Sequence, residues 1–200
     1  GVSSHHEIVS LQESLPAGCE AACRGCRHRS LAAAASLAQK AAYLQRVLAP
    51  WSAQLQPVRS VPDAGRLGYR DRVTLTARWD PAGWRFGLMR RDELIAIHEC
   101  PVHTPRVNRL VDLLRRSLPA HESLPVAYLH VAGAQATLVV KRRGYAAHDL
   151  ASVREGLAAT GVEGLWVHCH PSAGRRLFAR SGWHLDWGVP RSRDASGLEH

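Results

Sequence analysis

Cys19, Cys23 and Cys26 form a Cys-x3-Cys-x2-Cys run, and a fourth cysteine, Cys100, stands directly before Pro101. Thiolate sulfur is a soft ligand that selects iron–sulfur clusters or zinc, and three cysteines on one short loop plus a distant Cys-Pro form a recurrent cage for a cubane 4Fe-4S cluster. Structural zinc favours two Cys-x2-Cys knuckles, and this chain has one, so the spacing fits iron–sulfur better; zinc stays open beside it, as do a disulfide and plain unpaired thiols. With four cysteines every iron has a protein ligand, which points to a structural role: a clip tying the loop to a distant strand end and offsetting the entropy of closing so long a loop. The same three-cysteine spacing occurs in radical S-adenosylmethionine enzymes, but those set the loop on a repeated β/α barrel that the rest of this chain does not spell.

Around these cysteines the order of residues is distinctive: Cys23-Arg-Gly-Cys26-Arg-His28, a helix carrying Gln39 and Lys40, then Tyr69-Arg70-Asp71-Arg72, Phe86-Gly87 and Glu99-Cys100-Pro101. This order resembles the 23S rRNA uracil-C5 methyltransferase family, over about residues 19 to 118. Arg24 departs from the family's usual glycine, Arg27 to Ser30 do not spell its Gln-His, and Phe86-Gly87 reverses its Gly-Phe. The resemblance implies a 4Fe-4S cluster on Cys19, Cys23, Cys26 and Cys100. It implies a cluster-binding, RNA-facing lobe over 1–118 and a second α+β lobe of the family's central domain over 119–200. The implied partner is RNA, 23S rRNA first and tRNA second. Methyl transfer in that family uses S-adenosylmethionine, a cysteine nucleophile and a carboxylate base on a carboxy-terminal Rossmann-like domain. The sequence has no glycine-rich strand-to-helix loop with an acidic ribose partner, so that chemistry is expected from a methyltransferase domain in cis or in trans; the alternative is a free-standing iron–sulfur or zinc-stabilised RNA-binding protein without enzymatic activity. The eighteen residues before Cys19 leave no room for the oligonucleotide-binding barrel that often precedes the cluster. Gly1 is not an initiator residue, in keeping with a piece of a longer protein.

The formal charge of +9 is carried almost wholly by arginine, with lysine only at Lys40 and Lys141. Guanidinium groups bind phosphate in two-point geometry and stack on bases, so a nucleic-acid partner is the first expectation. Tyr69, Arg70 and Arg72 are the foremost RNA-facing candidates, because a strand period sets the two arginines on one face beside an aromatic ring. Arg106 and Arg109 follow on a helix, with Arg90, Arg91 and the Lys141-Arg142-Arg143 run as weaker candidates. No stretch reaches the roughly 20 apolar residues of a membrane span. A Cys-x2-Cys chain with an odd cysteine count and no secretory signal points to a reducing compartment, the cytoplasm.

The elements that must position these residues form an α+β fold, antiparallel sheet packed with helices, with the cysteine loop near the amino terminus. Residues 1 to 18, with His5 and His6, read as an irregular leader. Ser30 caps an alanine- and leucine-rich helix from Leu31 to Leu48 that stops before Pro50. Val73, Leu75 and Ala77 alternate with polar residues over a strand from Asp71 to Trp79, and strands over 84–89 and 93–98 complete an antiparallel meander. Thr104 and Pro105 open a helix to about Leu118, basic on its outer side. Strands follow at 125–132 and 135–142, then a helix at 147–159, a strand at 163–169 and more strand around 176–188. His168, Cys169 and His170 read as a buried free cysteine between partly exposed histidines, and the tryptophans at 166, 183 and 187 as packing residues. His98 and His103 flank Cys100, either tuning a cluster by hydrogen bonds or lying on the surface.

Overall fold

The computed structural model describes residues 15–62, 65–193 and 196–200. His5, His6 and most of the leader lie outside the described residues. The chain is α+β: seven strands form one sheet in the order β3-β2-β1-β4-β5-β6-β7, packed with helices. The strands are β1 (Arg72–Asp80), β2 (Gly83–Arg90), β3 (Glu93–Ala96), β4 (Val126–Ala132), β5 (Gln135–Val140), β6 (Gly164–Cys169) and β7 (Trp183–Gly188). Helix α1 spans Ala33–Val47, α2 Pro105–Ser117 and α3 Ala151–Thr160. The β1–β4 pairing runs the sheet without a break from the residues before 118 into those after it.

Alternation is plainest in β1 and β4, whereas β5 is buried along its whole length. Val73, Leu75 and Ala77 are buried on the inner face of β1, while Arg72, Thr74 and Arg78 are exposed. Asp80 and Gly83 bracket the turn into β2, where Asp80 Oδ1 accepts from the Ala82 amide at 2.8 Å and fixes the reversal. Gly87 sits where β2 and β3 nearly touch: a Cβ there would lie 1.9 Å from the Ile95 carbonyl oxygen, so only glycine fits. All pairings are antiparallel except β5–β6, which is parallel because α3 carries the chain back between them.

The core lies between the sheet and the α2–α3 pair. Helix α2 buries Val107, Leu110, Val111, Leu113 and Leu114, at positions that share one face of a 3.6-residue period. Fully burying five such side chains contributes on the order of 10 kcal/mol before chain entropy. Thr104 caps it, its Oγ1 accepting from the Val107 amide at 3.4 Å. Trp84, 2% exposed, closes the end of this core and donates from Nε1 to the Pro119 carbonyl at 2.8 Å.

Three expectations need correction. Helix α1 starts at Ala33 with Ala32, not Ser30, at its cap, and no side chain caps it. Beyond Leu48 the chain does not leave the helical track at Pro50 but makes a 3-10 stretch over Ala49–Gln54 with Pro50 near its start, where the ring's fixed φ is tolerated. Residues 176–182 are not strand: they form a loop leading into β7.

Candidate functional site

Two segments bearing the four amino-terminal cysteines meet at the end of β3. Gly18, at φ +81°, lets the loop turn flat against the backbone at Glu99, where a Cβ would stand 2.6 Å from the Glu99 carbonyl oxygen. The loop thus runs beside the residue preceding Cys100. Gly25 is close to Leu88 of β2, the side chain that an added Cβ would meet at 3.3 Å. Inside the loop the Gly25 amide donates to Cys23 Sγ at 3.3 Å. Arg29 holds the other turn: its guanidinium donates to the carbonyls of Glu20 and Ala21, and its Nη1 stands 3.9 Å from Cys19 Sγ.

All five cysteines are free; Cys19, Cys23, Cys26 and Cys100 are half-buried and Cys169 is buried. In kind these donors fit an iron–sulfur centre: four soft thiols on two touching segments, with a backbone N–H and a guanidinium directed at sulfur. Among the described residues, however, no three or more histidine, cysteine, aspartate or glutamate side chains converge in a group able to hold a metal ion.

Cys100 is fixed from the other side by the start of α2. Asn108 Nδ2 donates to the Cys100 carbonyl at 2.9 Å, and the His103 amide donates to the same oxygen at 3.2 Å. The segment carrying Tyr69 and Arg70 zips alongside in parallel: the Gly68 amide donates to the Pro101 carbonyl, the Arg70 amide to Val102, and the Thr104 amide to Arg70. Beside this zipper lies an open hollow of about 550 Å³, lined by Gly68, Cys100, Pro101 and His103, with Arg109 and Asn108 on its α2 side. His103 is 7% exposed, and burial with the Arg70 charge beside it holds its imidazole neutral, with a pKa of about 4. His98 is held below its usual value by burial and by Arg115 and Arg85.

The RNA-facing candidates divide into three places. Arg109 lines the Cys100 hollow, and Tyr69 (57% exposed) and Arg70 follow Gly68 of its lining, with Arg70 bridged to His103. Arg72 stands at the start of β1 on the outer face of the sheet, its Nη2 3.2 Å from His200 Nδ1. Arg106 is apart from both: it packs on Gly161 at the end of α3, and its Nε is buried without a hydrogen-bond partner. Of the weaker candidates, Arg142 is engaged internally, bonding the Ser123 and Gly144 carbonyls and pairing with Asp149.

Arg29 and Asn108 are contributors that motif spacing did not flag; Arg29 acts on the Glu20 and Ala21 carbonyls and Asn108 on that of Cys100, which leaves no periodic trace. Another arrangement, on the sheet's outer face, left a signal of period two. Tyr128 with His130, Trp166 with His168, and Trp183 with Leu185 are alternate residues on three strands. His168 is fully buried rather than partly exposed, because Trp183 stacks on it at 3.9 Å and Phe178 leans on its edge at 5.9 Å. Of the tryptophans, Trp187 packs against the core whereas Trp183 remains 38% exposed.

No described helix is long and apolar enough to cross a membrane. No protein-family model matches the chain, and no curated protein matches it.

Proposed function

We propose that this chain is the RNA-recognition part of an S-adenosylmethionine-dependent RNA uracil-C5 methyltransferase of the cytoplasm, acting on 23S rRNA, and that it carries a 4Fe-4S cluster. The observation that carries this reading is the meeting of the Cys19–Cys26 loop with Glu99-Cys100, beside a hollow that Gly68, Cys100 and Arg109 line and next to the Tyr69-Arg70 segment bridged to His103. Cys19, Cys23, Cys26 and Cys100 are the residues that would hold the cluster, and its contribution is a redox-silent tie between loop and strand end. Arg29 and the Gly25 amide place a guanidinium and an N–H donor at two of the sulfurs.

The chain's own residues then have a binding task. Tyr69 offers an exposed ring and Arg109 an exposed guanidinium at the rim of the hollow, suited to a splayed base and to phosphate. The parallel zipper from Gly68 to Thr104 fixes their spacing to Cys100. The role is to dock folded RNA and help extrude the target uridine toward a methyltransferase domain, supplied in cis or in trans, that holds the S-adenosylmethionine.

The test is binding of a folded 23S rRNA fragment and of tRNA to anaerobically purified protein at several salt concentrations. The reading expects rRNA to bind more tightly than tRNA, with affinity falling as salt rises and with Tyr69→Ala and Arg109→Ala each weakening it several-fold. Absence of binding to either RNA overturns it.

A further inference from the structure

Helices α2 and α3 cover one face of the sheet, and the opposite face is built differently. Register sets two rows of side chains across five strands there. One runs Thr74, His130, Thr137, Trp166, Leu185, and the other Thr76, Tyr128, Val139, His168, Trp183. Neither row contains a carboxylate. The loop before β7 folds back over their centre. Phe178 meets His130 edge-on at 5.3 Å and Trp183 at 5.2 Å, while Trp183 lies nearly flat on His168, 3.9 Å away at 24°. Two hydrogen bonds fix the assembly: the Ala179 amide donates to His168 Nε2 at 2.9 Å, and Trp183 Nε1 donates to the Ala179 carbonyl at 2.9 Å.

The stack rests on a buried imidazole, yet Phe178 and Trp183 on top of it, and Leu185 beside them on β7, are each 38% exposed. His168 Nε2 accepts a hydrogen bond, so its Nδ1 carries the proton. Burial first, and then the neighbouring His170, hold its pKa below the ordinary imidazole value. Around this uncharged aromatic surface the loop from 170 to 183 carries Arg175, Arg176 and Arg180 and no acidic residue; all three arginines are exposed, and no described residue holds any of them in an ion pair. Aromatic π-faces on a loop that also carries exposed guanidinium groups are complementary to unpaired bases on a phosphate backbone, and a sheet face with aromatics on neighbouring strands is a platform on which successive bases stack.

We propose that this outer face of the sheet is a second RNA-binding surface, on which Phe178 and Trp183 stack unpaired bases of single-stranded RNA while Arg175, Arg176 and Arg180 hold its phosphates. It shares no lining residue with the hollow at Cys100. The proposal rests on the RNA-binding reading above and adds to it a place and a preferred form of RNA.

The experiment uses anaerobically purified protein and a fluorescent oligouridine of about ten nucleotides, a length in the range that stacking platforms bind, with a duplex of equal length beside it. The platform predicts that the single strand binds better than the duplex, that Phe178→Ala weakens it about tenfold, a typical effect of losing one stacked base, and that the triple substitution of Arg175, Arg176 and Arg180 by glutamine flattens its salt dependence. If Phe178→Ala loses its fold by circular dichroism, crosslinking of 4-thiouridine oligonucleotide to the unaltered protein decides. Adducts on the tryptic peptides 177–180 or 181–191 support the platform, and adducts only elsewhere overturn it. Single-strand binding that Phe178→Ala leaves unchanged, but Tyr69→Ala or Arg109→Ala weakens, sinks the platform and leaves the RNA-binding reading standing. Absence of binding to any RNA sinks both. A concentration-dependent dimer that Phe178→Ala abolishes assigns the face to a second copy and also overturns the proposal.

Discussion

Helices α1 and α2 are of similar length, 15 and 13 residues, and are held in opposite ways. Helix α2 buries five apolar side chains between the sheet and α3, whereas α1 buries only Ser36 and leaves Tyr43, Leu44 and Val47 at 55, 36 and 51% exposure. An isolated helix of about 15 residues is marginal in water even when alanine-rich, since packing rather than propensity holds most helices in place. The amino-terminal segment therefore needs a tie that burial does not supply. The described ties are few and local: Arg29 to two carbonyls, His28 Nδ1 to Ser36 Oγ at 2.7 Å, and the loop against Glu99. The proposed four-cysteine clip would complete them, and its largest consequence would then fall on α1 rather than on the sheet.

Substitutions in the sheet should break the packed side of this comparison. Phe86→Ala removes a fully buried ring stacked on Trp84 and is expected to cost about 3–5 kcal/mol, read as a lowered urea midpoint for the whole sheet. Tyr145→Phe tests a polar tie on the same side. The Tyr145 hydroxyl donates to Asp186 Oδ1 at 2.6 Å, and burial with that carboxylate pushes its pKa to about 12, so it remains a donor at any ordinary pH. Its loss leaves the buried Asp186 with Arg154 alone and is expected to cost about 1–3 kcal/mol.

Acidity probes the outer face. Burial is the first cause that lowers the pKa of both His130 and His168, with Arg72 adding for the former and His170 and His184 for the latter. In the unfolded chain both titrate near about 6.5. Between that value and the lower folded values the unfolded state binds more protons, so this stability is fully present above about pH 6.5 and is lost as pH falls through the folded values. Urea midpoints from pH 7 to 5 should fall, and less steeply in His130→Asn. The smallest effect belongs to the unpacked side: Tyr43→Ala on α1 should change stability by less than about 0.5 kcal/mol in the same titration. A cost of several kcal/mol there would show that α1 is held by packing after all.

How much of this was legible in the sequence follows the same division. Strands β1 to β3 and helix α2 could be read directly, because Val73, Leu75 and Ala77, and Val107, Leu110 and Leu114, repeat with the period of their element. For α1 the composition revealed a helix but not its surroundings, since alanine suits a buried and a bare face equally. The parallel β5–β6 pairing depends on where α3 returns the chain, a long-range choice no local pattern records. In the candidate site the cysteines stood out by spacing. Arg106 did not declare its place: its helical position points outward, yet Gly161 gives it room to fold back and bury its Nε.

The most direct test of the central claim is iron and zinc content with a visible spectrum, measured on anaerobically purified protein and on Cys100→Ser, together with amide exchange across 33–47. The account predicts about four irons per chain. In Cys100→Ser the metal should be lost and the α1 amides should exchange freely, while the sheet keeps its protection. One zinc and no iron, or α1 amides equally protected in Cys100→Ser, would contradict it.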